Sequence, residues 1–117
     1  TAQSSLEVED AIDVIEKRYS QEDLVVAHER DAIYKLQQDH REMELLKAWG
    51  EDWEETALEA SQNGRRVWFV VNSSCVPGVL ADLESWLIEN ASLVWRKHRK
   101  GFVYGLTGYE VWVIESK

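Results

Sequence analysis

Cys75 is the single cysteine of the sequence and a candidate nucleophile. It lies in the polar segment Asn72–Gly78, after an apolar run at 67–71 and before an expected helix. A thiol at the start of a helix has a lowered pKa and can act as a nucleophile, and the N–H groups there can bind an anion. The segment has neither the glycines of a phosphate-binding loop nor the arginine of a thiol phosphatase. A small enzyme that uses Cys75 in the 72–78 loop is therefore the third functional hypothesis.

The three histidines, His28, His40 and His98, are the candidate bases and metal ligands. Their spacing matches neither an i,i+4 pair nor an HExxH pattern, so the sequence predicts no metal site and no cofactor. Nothing places one of them beside the thiol. His40 falls on the apolar stripe of an expected helix, where it would be a packing residue or a polar contact between two helices.

Carboxylates are concentrated in the N-terminal part of the chain. Residues 1–63 carry six Lys/Arg against seventeen Asp/Glu, whereas residues 64–117 carry seven against five, and the net charge is −9. This balance disfavours generic binding to nucleic acid or anionic membranes. An acidic helical face can instead mimic nucleic-acid charge or steer a basic protein towards the chain. A solvated surface with i,i+4 ion pairs is the simpler alternative.

The leading hypothesis is a non-catalytic protein-interaction domain, acting as an inhibitor, adaptor or immunity-type factor, that binds a basic protein surface. Its predicted site surrounds a helix joint marked by two tryptophans, a residue type enriched both in cores and at interface hot spots. The predicted partner-binding residues are Glu42, Glu44, Trp49, Glu51, Asp52, Trp53, Glu54 and Glu55.

A basic cluster at 96–100 gives the second hypothesis, a nucleic-acid-binding or regulatory domain. Basic residues interleaved with aromatics on a strand pair can hold phosphates while bases stack. The residues that would do so are Arg96, Lys97, Arg99 and Lys100. Two other interpretations stay open: charges that protect an edge hairpin from aggregation, and pairing with the acidic face within one chain or between two.

Apolar spacing predicts helices at about 5–19 and 21–48, and a third N-terminal helix is expected at about 51–62. The second follows from one apolar stripe, to which Val26, Ile33, Leu36, Met43 and Leu46 belong. A homodimer could form through this long helix. Glu51, Asp52, Glu54 and Glu55 suit the start of the third helix, where the helix dipole favours negative charge.

Beyond residue 64 the pattern changes to that of a sheet. The run 67–71 is apolar on both faces, as in an interior strand, and a helix at about 78–90 follows. Three further strands are expected at 92–97, 101–106 and 109–115, with turns at Lys100-Gly101 and Thr107-Gly108. The predicted fold class is α+β: three N-terminal helices, then a small, mostly antiparallel four-stranded sheet with one crossover helix.

Length and composition predict a single domain over 1–117, with an acidic helical half at about 5–62 and a β-α-β-β-β half at about 65–116. A chain of this size can bury a core without a metal or disulfide. The single cysteine favours a reducing compartment, and no apolar run approaches the roughly 20 residues of a membrane span. A soluble cytoplasmic protein is therefore expected.

Overall fold

The computed structural model of the chain describes residues 2–48, 52–72, 77–100 and 106–115. Within these ranges it contains four helices and five strands. In chain order they are α1 (Ala2–Glu16), β1 (Leu24–Ala27), α2 (Arg30–Asp39), β2 (Glu44–Lys47), α3 (Trp53–Gln62), β3 (Val67–Asn72), α4 (Pro77–Asn90), β4 (Ser92–Lys100) and β5 (Leu106–Ile114). None of the described helices is long and apolar enough to cross a membrane.

The five strands form one mixed sheet in the order β2-β1-β3-β5-β4. Strand β1 pairs in parallel with β2 on one side and with β3 on the other. Strands β3 and β5, and likewise β5 and β4, are antiparallel. The predicted fold of three helices followed by a four-stranded, mostly antiparallel sheet is therefore wrong, because the N-terminal part contributes two parallel strands to the sheet.

The predicted long helix 21–48 is in fact the unit β1-α2-β2. Leu24–Ala27 is buried at every residue, as required of a strand whose sheet is covered on both faces, whereas a helix with one apolar stripe would expose some of these residues. Helix α2 begins after Glu29, whose side chain accepts a hydrogen bond from the Ala32 N–H at 3.0 Å. The homodimer expected through the long helix loses its basis with that helix.

The C-terminal part forms two long strands. Thr107-Gly108, predicted as a turn, lies inside β5, where Gly108 is opposite His98 of β4. The other expected turn, at Lys100-Gly101, and most of the expected strand 101–106 lie outside the described residues. The predicted strand at 67–71 is confirmed as an interior strand, and the helices expected at 51–62 and 78–90 are confirmed within two residues at each end.

Helices cover both faces of the sheet. Alternate residues of β3 point to opposite sides, so this strand contributes to the core on each face. On one face, Trp68 and Val70 pack with buried residues of α1 and α2, such as Ile12 and Leu36. The opposite face belongs to α3 and α4, with Phe69 in its buried cluster. Because β1 and β3 are parallel neighbours, their carboxyl ends lie at one edge of the sheet, between these two layers.

Candidate functional site

The direction in which the chain progresses across the sheet reverses between β1 and β3. From β1 it runs through α2 to β2 on one side, and it then returns through α3 to β3 on the other side. In open sheets with parallel strands, ligands bind at such a switch point, outside the carboxyl ends of the strands. His28 and Glu29 follow β1 directly and Asn72 ends β3, so three polar side chains lie at this point.

Hydrogen bonds join these residues across the switch point. The backbone N–H of Asn72 donates to Nε2 of His28 at 3.0 Å. The Asn72 amide donates to Oε1 of Glu29 at 3.2 Å and to the Tyr109 hydroxyl at 3.3 Å. The Tyr109 hydroxyl in turn donates to the same Glu29 oxygen at 2.9 Å. The carboxyl ends of β1 and β3 and residue Tyr109 of β5 are thereby held in one arrangement.

Burial sets the protonation of two members of this network. The pKa of His28 is lowered by burial, which outweighs the opposing attraction of the Glu29 charge. Because Nε2 accepts the Asn72 N–H, the proton of the neutral imidazole is assigned to Nδ1. Burial, followed by the nearby Glu29 charge, raises the pKa of Tyr109. The network therefore has a neutral imidazole and a protonated phenol around one carboxylate.

A surface cavity of about 230 Å³ opens beside His28, and we call it the Trp53–Trp86 cavity. The two indoles meet edge to face, with ring centroids 5.0 Å apart. Both rings also contact Phe69 edge to face, at 6.4 and 5.6 Å. The lining residues are His28, Ala48, Trp53, Glu54, Asp82, Leu83 and Trp86.

Glu54 and Asp82 give the cavity its negative charge. Both are exposed, and among the described residues neither forms an ion pair, unlike several other acids of the chain. Glu44 pairs with Arg65 at 3.1 Å. A carboxylate without a basic partner attracts a cation by its charge. The faces of the neighbouring aromatic rings attract the same cation through their quadrupole. The cavity is thus suited to a cationic group.

The structure divides the predicted partner-binding residues into separate groups. Glu44 begins β2, and Glu42 lies in the preceding turn, 3.8 Å from Nδ1 of His40. The acids at 52–55 lie beyond the opposite end of β2, at the start of α3. Trp53 is half-buried against Phe69 and Trp86. The remaining two predicted residues, Trp49 and Glu51, lie outside the described residues.

The two basic-cluster side chains that the structure describes are paired within the chain. Nε of Arg96 donates to the buried Glu110 carboxylate at 3.0 Å. Nζ of Lys97 lies 2.9 Å from the Asp10 carboxylate of α1. Of the interpretations of the basic cluster, these two contacts favour pairing with acids within the same chain. The side chains of Arg99 and Lys100, and the whole of Cys75, lie outside what the structure describes.

Sequence reasoning did not find His28, Asp82 or Trp86 as members of one site. Their common location depends on β1, which was predicted as helix. A signal was present: four consecutive apolar residues precede His28, and Glu29 stands where a helix cap is needed. Comparison with protein-family models, with curated proteins and with solved structures finds no match for this chain.

Proposed function

We propose that this chain is a non-catalytic protein-interaction domain that binds a lysine or arginine side chain of a basic partner in the Trp53–Trp86 cavity. One observation carries the proposal: two tryptophans in mutual contact lie beside two carboxylates that have no basic partner among the described residues. A cation over an indole gains roughly 0.5–1 kcal/mol at an exposed site and more when water is excluded.

The size and charge of the molecule support the same function. At about 230 Å³ the cavity is smaller than the roughly 300–1,000 Å³ typical of sites for drug-sized ligands, which favours a single side chain over a cofactor. The net charge of −9 would accelerate the approach of a basic partner at low salt. The nucleic-acid alternative has less support, because Arg96 and Lys97 already pair with Glu110 and Asp10.

The cavity can be tested before a partner is known, with amino-acid derivatives as probes. The probes are the N-acetyl methylamides of arginine and lysine, and the control is that of norleucine, which matches the apolar part of lysine without the charge. The indole N–H resonances of Trp53 and Trp86 report the titration. We expect both to shift with the cationic probes, and less so at high salt.

Variants locate the binding. Glu54→Gln and Asp82→Asn should each weaken the cationic probe about two- to fivefold, the value of an exposed charge pair of up to about 1 kcal/mol. The matched controls, Glu55→Gln and Glu89→Gln, remove exposed charges from the same two helices outside the cavity lining and should have little effect. Equal binding of norleucine, or equal effects of all four variants, would contradict the proposal.

The partner itself can then be sought by affinity capture with wild-type protein and with the Glu54→Gln, Asp82→Asn double variant. A basic protein that wild type retains at low salt, and that both high salt and the double variant release, is the expected result. A partner retained equally by the double variant would bind elsewhere and would refute this site.

A further inference from the structure

A second cluster of ligand-forming side chains lies at the other end of β2, away from the Trp53–Trp86 cavity. Glu16 ends α1, His40 follows α2 as its C-cap, and Glu42 lies in the turn before β2. One ligand atom from each of the three residues lies within 4.8 Å of the others. We call this group the Glu16–His40–Glu42 cluster.

The backbone fixes the position of the histidine. The His40 N–H donates to the Leu36 carbonyl at 3.0 Å, and the His40 carbonyl accepts from the Met43 N–H at the same distance. These bonds close the end of α2 and the turn that carries Glu42. Glu16 belongs to α1, which packs with α2 against the sheet. Two separate segments, the end of α1 and the connection between α2 and β2, therefore present the three ligand atoms.

The distances are compatible with ligand atoms around one metal ion. Oε2 of Glu16 lies 3.0 Å from Nδ1 of His40, and Oε1 of Glu42 lies 3.8 Å from it. In a tetrahedral zinc site, with metal–ligand bonds of about 2.0–2.2 Å, neighbouring ligand atoms are roughly 3.4 Å apart. The two observed separations lie on either side of this value, so small side-chain rotations would bring both oxygens to an ion held by Nδ1.

The imidazole nitrogen gives an independent indication of a ligand. Nδ1 of His40 is buried and forms no hydrogen bond with the described residues. Although Oε2 of Glu16 is within ion-pair distance, it does not lie where an Nδ1–H group would point. A buried nitrogen without a partner is costly, and an ion on its lone pair, flanked by the two carboxylates, would supply the missing contact.

We infer that the Glu16–His40–Glu42 cluster binds a divalent transition-metal ion, of which Zn²⁺ is the representative. The two carboxylates together carry two negative charges, which a divalent cation balances. The imidazole favours zinc and its neighbours over magnesium and calcium, which prefer all-oxygen sites. The glutamate side chains are 53% and 63% exposed, which leaves space for water in the coordination shell.

Zinc titration of the tag-free, chelator-treated protein tests this site directly. We expect calorimetry to give one ion per chain, with no displacement by a tenfold excess of Mg²⁺. Binding should raise the Tm by about 10 °C at a free zinc concentration one hundred times the Kd, because the ion stabilises only the folded chain. The ¹⁵N resonance of His40 Nδ1 should shift on zinc addition at constant pH.

Three single variants and one control assign the ligands. Glu16→Gln, His40→Gln and Glu42→Gln should each weaken zinc binding at least tenfold, since even loss of an outer-shell partner costs about 10–100-fold. Glu22→Gln, an exposed residue outside the cluster, should stay within twofold of wild type. The two exposed glutamates provide the test even if His40→Gln does not fold, which circular dichroism of the metal-free proteins would reveal.

Two results would overturn the inference. One is the absence of zinc uptake up to 1 mM, with an Nδ1 resonance that responds to pH alone, because the cluster would then hold a proton. The other is zinc binding that His40→Gln or both glutamate variants leave unchanged. The site is independent of the Trp53–Trp86 cavity, so neither result bears on the proposed partner interaction.

Discussion

Replacing Asp23 with alanine should destabilise the protein by about 3 kcal/mol, because one buried carboxylate oxygen serves several donors. Oδ2 accepts from Nε1 of Trp68 at 3.0 Å, from Nε of Arg66 at 3.0 Å and from the Ser20 N–H at 3.1 Å. The Asp23 side chain is 5% exposed and Trp68 is fully buried. In Asp23→Ala the indole N–H is left without its acceptor in a region that water does not reach.

The magnitude follows from the three donors taken separately. An orphaned buried N–H costs about 1–3 kcal/mol, which applies in full to Trp68. Arg66 is 20% exposed and also lies 3.9 Å from Glu115, so its loss is partly offset, and about 1 kcal/mol remains. The exposed Ser20 N–H can hydrate at little cost. The sum agrees with the roughly 3–5 kcal/mol for removing one partner of a buried ion pair.

Urea unfolding at pH 7, followed by far-UV circular dichroism, measures this loss without relying on tryptophan fluorescence. A change of about 3 kcal/mol corresponds to roughly 12 °C in Tm for a chain of this length. Asp23→Asn should cost about half as much, since its amide oxygen can still accept from Trp68. In the background of Trp68→Phe, which lacks the donor, Asp23→Ala should cost about 1–2 kcal/mol less. A loss below 1 kcal/mol, or strict additivity of the two substitutions, would refute the reasoning.

Two further predictions concern pH and a single turn. Burial lowers the pKa of His28 in the folded chain. Below the unfolded pKa of about 6.5, the unfolded chain therefore takes up a proton that the folded chain does not. The free energy of unfolding is at its full value above that pH and falls below it, by at most about 1.4 kcal/mol per pH unit. Urea unfolding at pH 5.5 and 7.5 should show a smaller difference for His28→Gln than for wild type, and an unchanged difference would contradict this prediction. Gly64 has φ +85° at the end of α3, and an added Cβ would meet no atom within 4 Å. Gly64→Ala should therefore lower the free energy of unfolding by about 1 kcal/mol through backbone strain alone. Gly64→Asn should lower it less, because asparagine tolerates a positive φ better. Equal losses for the two variants would argue against a conformational cause.

The elements that sequence reasoning located correctly are those with strong, isolated signals. Val67–Val71 combines five consecutive apolar residues with flanking turn residues, a pattern typical of a strand covered on both faces. Helix α4 shows a distinct apolar face, whereas α3 was located from the acids at its start and from Asn63-Gly64 at its end. In each case the local pattern and the tertiary environment favour the same structure.

The error at 21–48 has a physical cause. Strands β1 and β2 have four residues each, too short for period-two alternation to differ clearly from one turn of a helix. Ser20 and Asp23 suggested a helix start, yet the Asp23 side chain accepts from the Ser20 N–H in a turn that leads into β1. Strand β1 pairs with β3, about forty residues later in the chain, and β2 pairs with β1. No local pattern records either pairing.

The candidate site depended on the same missing information. Trp53 and Glu54 were selected from the sequence because they lie at a helix start rich in acids and tryptophan, and both line the cavity. His28, Asp82 and Trp86 come from other segments and join them only once β1 lies beside β3. A histidine after a short strand gives no spacing signal. Sequence reasoning therefore found only the residues that α3 contributes to the cavity.

The charge difference between the two halves of the sequence is not preserved on the folded surface. Folding brings bases of the C-terminal half to acids of the N-terminal half. Arg65 and Arg66, just before β3, pair with Glu44 and Asp23, and Lys97 of β4 pairs with Asp10 of α1. Acids paired in this way contribute to the net charge but offer little to a partner. Glu54 and Asp82 are among the exposed acids that form no ion pair with the described residues, and they lie beside tryptophans. If a partner binds through the overall charge alone, neutralising any exposed acid should weaken its affinity equally. If it binds in the cavity, neutralising Glu54 or Asp82 should weaken its affinity most.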